Sequence, residues 1–378
     1  MDTRTEQVIA ARFLREGRVA SVRGLGKGLI NDTYLVSTDS PAVPRFVLQR
    51  INGEVFPFPD RIMANLERLS SHLAARIDDL KESAKSEAFR MPALLLTTDG
   101  KNCHIGEAGE YWRALTYIEN SRTLDRLESQ EDAGQVGFAL GRFHREVRDL
   151  DPVLMQDSLP GFHITPVYLS HYDRIAASAR RRKLPGSFVD LRFCEDFVDA
   201  RRNRAPVLET ARQDGRLMPR VIHGDPKLNN ILFETRTRTA LTLIDLDTVQ
   251  SGLILYDIGD CLRSCCNRAG ESAEGLETAT FDLDICEAIL TQYFQECAPF
   301  MSKADIDHLV DAVHLLPFEL GLRFLSDHLD GNRYFKVGFP EHNLARALIQ
   351  FGLVQSIEKQ ERTIRLLIRK ISSRPVER

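Results

Sequence analysis

His223-Gly224-Asp225-Pro226-Lys227-Leu228-Asn229-Asn230 runs directly into the apolar Ile231-Leu232-Phe233, and fifteen residues after Asn230 the stretch Leu241-Thr242-Leu243-Ile244 ends on Asp245. An aspartate five positions before an asparagine, in a loop leading into a strand, is a pairing that phosphoryl transfer uses. The aspartate accepts or orients the proton of an attacking hydroxyl, and the asparagine oxygen helps hold a magnesium ion on the nucleotide phosphates. Asp245 adds the carboxylate oxygen that a hard divalent cation prefers. Each residue alone is an ordinary turn residue. Their spacing, with the strand after Asn230 and the second aspartate, points to a phosphotransferase with Asp225 catalytic and Asn230 and Asp245 on the metal.

Outward from this island, VIHGDPKLNNILFETRTRTALTLIDLDTV, the pattern differs on the two sides. Upstream, β-branched and aromatic runs alternate with Gly, Asn, Asp and Pro clusters, which predicts antiparallel strands in VASVRGLGKGLINDTYLVSTDSPAVPRFVLQRIN. A helix is expected from Pro59 to about Arg76, and then a hairpin turning at Asp99-Gly100. From about Arg122 the periodicity is helical, in QEDAGQVGFALGRFHREV, SFVDLRFCEDFVDARRN, DICEAILTQYFQEC and the final third. The expected division is residues 1–118 as a nucleotide-binding lobe and 119–378 as a catalytic and substrate-binding lobe.

The 378 residues exceed the usual size of one hydrophobic core, so two lobes are the natural expectation. A net charge of −4 gives no general attraction for nucleic acid or an anionic membrane, so a small-molecule partner is expected. The amphipathic start, MDTRTEQVIAARFLREG, resembles neither a leader nor a membrane span, and the reading is cytoplasmic. Seven scattered cysteines without paired CxxC spacing suggest reduced structural thiols, even where Cys261, Cys265 and Cys266 cluster.

HGDPKLNNILF followed by LIDLDTV resembles the signature of the aminoglycoside phosphotransferase and choline kinase superfamily. The resemblance implies an α+β, protein-kinase-like fold: a smaller β-rich N-lobe, a larger mostly helical C-lobe, and an active site in the cleft. It also implies ATP and Mg2+. Gly24, Gly26 and Gly28, followed by Asn31-Asp32-Thr33, resemble the family's nucleotide loop, so Gly28, Asn31 and Thr33 become nucleotide-binding candidates. In FVLQRIN one register turns Gln49 toward the nucleotide and the next turns Arg50, because strand residues alternate faces. Charge favours Arg50. Glu67 is a candidate helix partner for that cation, and a solvated glutamate otherwise.

Wider phrases, among them LINDTYLV, YWRALTYIE, LPGFH, YDIGDCLR and GLRFLSDHLDGNRYFK, resemble the N-acetylhexosamine 1-kinases. That likeness implies phosphorylation at the anomeric hydroxyl of N-acetylglucosamine or N-acetylgalactosamine. Arg323 matches a sugar-contacting arginine, with Asp327, Tyr334 and His342 as further candidates; on residues alone, Arg323 and Asp327 make a surface ion pair on one helical face. Asp247 is a candidate for magnesium or substrate, and Asp260 for a hydrogen bond to the catalytic loop. His223 is expected to shape that loop, and His163 borders the sugar site or is merely solvated. The alternatives are a kinase of choline, homoserine or an aminoglycoside, and a catalytically silent binding protein of the same fold.

Overall fold

The structure, a computed structural model, describes residues 3–26, 30–78, 89, 91–179, 188–268, 270 and 279–374. It divides into two compact units. The first comprises Met1–Ser121 with two later segments, Val153–Pro160 and Ile244–Gln250; the second comprises Arg122–Pro152, Gly161–Leu243 and Ser251–Arg378.

In the first unit β1 (Val19–Gly24), β2 (Asp32–Thr38), β3 (Arg45–Arg50), β4 (Leu94–Leu95), β5 (His104–Ile105) and β6 (Tyr111–Thr116) form an antiparallel sheet. Its order is β1-β2-β3-β6-β4, with β5 also on β6. The Asp99-Gly100 turn forms, with Gly100 left-handed at φ 81° and Thr97 N–H bonded to Lys101 O at 2.8 Å. The strands beside it do not pair with each other, as a hairpin would require; both lie against β6.

The two faces of this sheet have different tasks. Helix α1 (Thr3–Ala11) and the turn after it bury Ile9, Ala10, Phe13 and Leu14 against Val36, Phe46, Leu48, Trp112 and Ala114. Period-two alternation sends Leu35, Val47, Gln49 and Arg113 to the other side. Helix α2 (Pro59–Asp78) starts on proline, whose missing N–H has no partner to lose in a first turn. Its Asn65, fully buried, donates to Gln156 O at 2.7 Å and Val249 O at 2.9 Å and accepts from Gln156 N–H at 2.7 Å. One amide thereby ties both later segments to the unit.

The second unit is mainly helical: α3 (Gln130–Val147), α4 (Thr165–Ala179), α5 (Phe188–Arg201), α6 (Val207–Gln213), α7 (Ile254–Cys265), α8 (Leu283–Cys297), α9 (Lys303–Asp307), α10 (Leu309–Leu329) and α11 (His342–Ser372). Ser129 and Asp132 close a capping box at the start of α3. Close approach of α3 to α8 depends on Gly137, where a Cβ would lie 2.0 Å from Ile289 O. Gly259 does the same for α7 against α10, since a Cβ there would meet Ala312 O at 2.8 Å. The strands Ile231–Glu234 and Ala240–Leu243 pair antiparallel, giving the hairpin expected after Asn230. All seven cysteines are free and six are buried. Among the described residues no helix is long and apolar enough to cross a membrane.

Candidate active site

In the second unit, the strand Arg220–Ile222 delivers the loop that carries Asp225. The loop turns at Gly224, at φ 87°, a conformation that costs glycine little. Asp257 on α7 clamps the turn by accepting from His223 N–H at 2.7 Å and Gly224 N–H at 2.8 Å. Burial opposes the charge of Asp257, but the hydrogen bond and charge of His144 hold its carboxyl below the usual range. His144 is bonded to Asp257 Oδ2 at 2.9 Å and, through its other ring nitrogen, to Tyr293 at 2.8 Å. Sequence reading assigned this clamp to Asp260. The structure corrects that: Asp260 accepts from Arg263 at 2.8 Å on its own helix. The two aspartates are three residues apart, and only packing decides which meets the loop.

His163 grips the loop from the opposite side. Its ring bonds Gly224 O at 2.6 Å and Glu319 at 3.0 Å, and Thr165 donates to the other Glu319 oxygen at 2.9 Å. Burial works against a charged His163, yet Glu319 prevails and raises its pKa. Far from being solvated, His163 is buried and left-handed at φ 60°. His223 packs its ring edge-on to Phe143 and accepts the Asp225 N–H at 3.3 Å, which makes it part of the loop's frame.

Asp225 Oδ2 receives Lys227 Nζ at 2.6 Å and Asn230 Nδ2 at 3.0 Å. Asn230 also donates to Asp225 O at 2.8 Å. The amide nitrogen of Asn230 is thus spent on the loop, while its oxygen takes part in none of these bonds. Among the described residues Asp225 Oδ1 accepts no hydrogen bond, although the side chain is about a quarter exposed at 26%. A carboxylate held through one oxygen, with the other open, is poised to receive a hydroxyl proton.

Arg323 stands in the same unit on α10. Its guanidinium carbon lies 5.4 Å from the ring centres of Phe162 and Tyr168 and 5.5 Å from Phe335. Burial disfavours its charge, but Tyr168, Tyr334, Glu319 and Asp225 lie within electrostatic reach and keep it protonated. The expected surface pair with Asp327 does not form. Asp327 instead accepts from the N–H groups of Arg333, Tyr334 and Phe335 at 2.8, 2.8 and 2.9 Å and from Asn343 at 2.8 Å. It organises the loop that presents the partly exposed Tyr334, and its own oxygens are occupied. His342 stacks on Phe339 at 4.8 Å beyond that loop.

The remaining candidates lie in the first unit. Gly28 falls outside the described residues. Asn31 donates to Asp247 Oδ2 at 2.6 Å and accepts from Asn52 N–H at 3.0 Å, and Thr33 accepts from Gln49 at 3.1 Å. Arg50 pairs with Asp32 and leans over Trp112, 5.9 Å from the ring centre, on the α1 side of the sheet. Gln49 faces the other way, toward Arg113 and the segment carrying Asp247. The register preferred on charge grounds is therefore corrected: alternation turns Arg50 away from that segment. Glu67 accepts from Asn102 at 3.2 Å at the surface.

Asp247 is buried and committed. It is ion-paired to Arg113, bonded to Asn31, and its carbonyl accepts from Ser158 at 3.1 Å. It offers no oxygen to a substrate at the surface. Asp245, two residues earlier, is left-handed at φ 64° and ψ 63°. Asn230 and Asp245 are both oxygen donors, which suits a hard divalent cation. Asn230 belongs to the second unit and Asp245 to the first; among the described residues no group of three or more His, Cys, Asp or Glu side chains that could hold a metal ion occurs.

The fold is shared with solved phosphotransferases. A microcompartment-associated aminopropanol kinase is 17% identical, with a TM-score of 0.62 over 97% of this chain and 99% of its own. A choline kinase from Cryptosporidium parvum is 12% identical, with a TM-score of 0.58 over 96% and 98%. A spectinomycin phosphotransferase solved with ADP and spectinomycin is 11% identical, with a TM-score of 0.51 over 92% and 98%. At such identities the likeness concerns the fold, which is kinase-like, with an antiparallel sheet in the first unit and helices in the second. The family model for the Phosphotransferase enzyme family matches residues 21–292, most of the chain and all of the loop and hairpin just described, and the chain accordingly belongs to that family as a small-molecule phosphotransferase.

Proposed function

We propose that the chain transfers the γ-phosphoryl group of ATP to the anomeric hydroxyl of an N-acetylhexosamine. Asp225 accepts the hydroxyl proton through its open oxygen as the hydroxyl oxygen bonds to phosphorus. The bond from phosphorus to the ADP oxygen breaks in the same exchange, and ADP leaves with that electron pair. Asn230 and Asp245 hold the nucleotide's magnesium, which when bound neutralises charge on the phosphate oxygens. Lys227, 2.6 Å from Asp225, keeps a cation beside the transfer. Positioning and charge neutralisation carry the rate, with no phosphoenzyme.

The observation that carries the acceptor reading is Arg323. Three aromatic rings lie 5.4–5.5 Å from its guanidinium carbon, contacts that leave the five N–H donors of the fork to oxygen acceptors. A rigid fork of open donors suits the neutral hydroxyl and acetamide oxygens of a sugar. It disfavours choline or an aminoglycoside, because the rings that would cage an ammonium group already hold a cation. The test is an ADP-release screen across N-acetylglucosamine, N-acetylgalactosamine, choline, homoserine and aminoglycosides. Turnover with an amino sugar is expected to fall in Arg323→Ala and to be only partly restored in Arg323→Lys, with the damage in the sugar titration rather than the ATP titration. Turnover confined to choline or an aminoglycoside would remove the sugar reading and leave the kinase.

A further inference from the structure

A buried arginine in the first unit has no role in the reaction described so far. Arg113, on β6, is 1% exposed. Its Nε and Nη2 donate to Gln49 Oε1 at 3.1 and 2.8 Å, and Nη2 also pairs with Asp247. Its Nη1 is buried without a hydrogen-bond partner among the described residues. Leaving such a donor unmet is unfavourable, and a buried ion pair by itself is weak evidence for stability. The arrangement is better explained by what it holds in place.

What it holds is a strained turn. A left-handed backbone at Asp245, a residue with a Cβ, persists only where its surroundings over-determine it. Two residues on, Asp247 is fixed at every polar group named: one carboxylate oxygen by Arg113, the other by Asn31, the carbonyl by Ser158. Two residues further, Val249 O is taken by Asn65. The downstream side of the Asp245 turn is thereby anchored to β6, to the loop before β2 and to α2.

The geometry points to Arg113 as a positioning residue for phosphoryl transfer: through Asp247 it holds the turn at Asp245 in the conformation that presents its carboxylate to the nucleotide's metal. Gln49 occupies the β3 position where a cation is expected. The cation instead comes from the neighbouring strand, with Gln49 Oε1 as its hydrogen-bond acceptor, while Gln49 Nε2 donates to the Thr33 hydroxyl at 3.1 Å. This rests on the reading of Asp245 as a metal ligand.

The experiment is calorimetric titration of ADP into the full chain, with magnesium present and with magnesium chelated, on wild type, Arg113→Met, Asp247→Asn and the double variant. Outer-sphere partners of metal ligands typically contribute about 10–100-fold to metal affinity. Each single variant is expected to lose about tenfold or more in magnesium-dependent ADP affinity while magnesium-free binding stays unchanged, and the double variant should be no worse than either single one. Unchanged magnesium dependence with lowered thermal stability would overturn the proposal and leave a structural pair. Asn31→Ala, which removes one bond to Asp247 and the acceptor of Asn52 N–H but no charge, covers the case in which the arginine variant does not fold: a partial loss of the magnesium effect is expected, and none would count against the clamp. Should wild type itself bind no ADP with or without magnesium, the nucleotide reading fails, a result distinct from failure of the clamp.

Discussion

Two donors share one oxygen of Asp225 and leave the other open, and that asymmetry gives the residue its place in the chemistry. Asp225→Asn keeps the shape and the loop but cannot take a proton. Turnover should fall by at least about 100-fold, the lower end of what a positioned base contributes, with thermal stability near wild type. Steady-state rates beside a melting curve decide it; near-wild-type turnover would return Asp225 to an ordinary turn residue. The motif around Asp225 was legible because loop spacing survives in one dimension. Arg113 was not, since nothing in YWRALTYI distinguishes an arginine that enters the interior from one that stays on the surface.

At the scale of elements, the catalytic loop is held between two helices by opposite electrostatic devices. Asp257 on α7 is held ionised, and His163 ahead of α4 is held protonated by Glu319 on α10. Because the folded pKa of His163 lies above its ordinary value, its contribution to stability is whole below about pH 6.5 and is lost as pH rises through the raised value. The difference in unfolding midpoint between wild type and His163→Gln should therefore shrink from about pH 6 to about pH 9. A constant difference across that range would mean that Glu319 bonds a neutral ring. Periodicity located α2, α3 and α8 within a few residues, because amphipathic faces repeat along the chain. It could not choose between Asp257 and Asp260, less than one turn apart on α7.

Across the whole molecule, the first unit gathers three separate stretches of chain, and Asn65 joins the later two to it. Asn65→Ala would leave Gln156 O, Val249 O and Gln156 N–H without their buried partner. A loss of about 2–4 kcal/mol is expected by urea denaturation. A change near zero would mean that water replaces the amide.

The family and the kinase-like fold were readable from HGDPKLNNILF and LIDLDTV, because these residues act within short loops and strands whose spacing is set by the backbone. The alternation of apolar residues likewise marked the strands and helices. Which face Arg50 and Gln49 take, which aspartate clamps the loop, and what Asp327 and Asp247 bind were settled only when distant segments packed together. Asp327 could have paired with Arg323 four residues away, yet three backbone N–H groups and Asn343 outcompete it once the loop after α10 folds back. Asp247 could have faced solvent, yet Arg113, 134 positions earlier, buries it. Such partners are fixed by desolvation: a charge removed from water must find its counterpart in space, and position along the chain does not record where that counterpart lies.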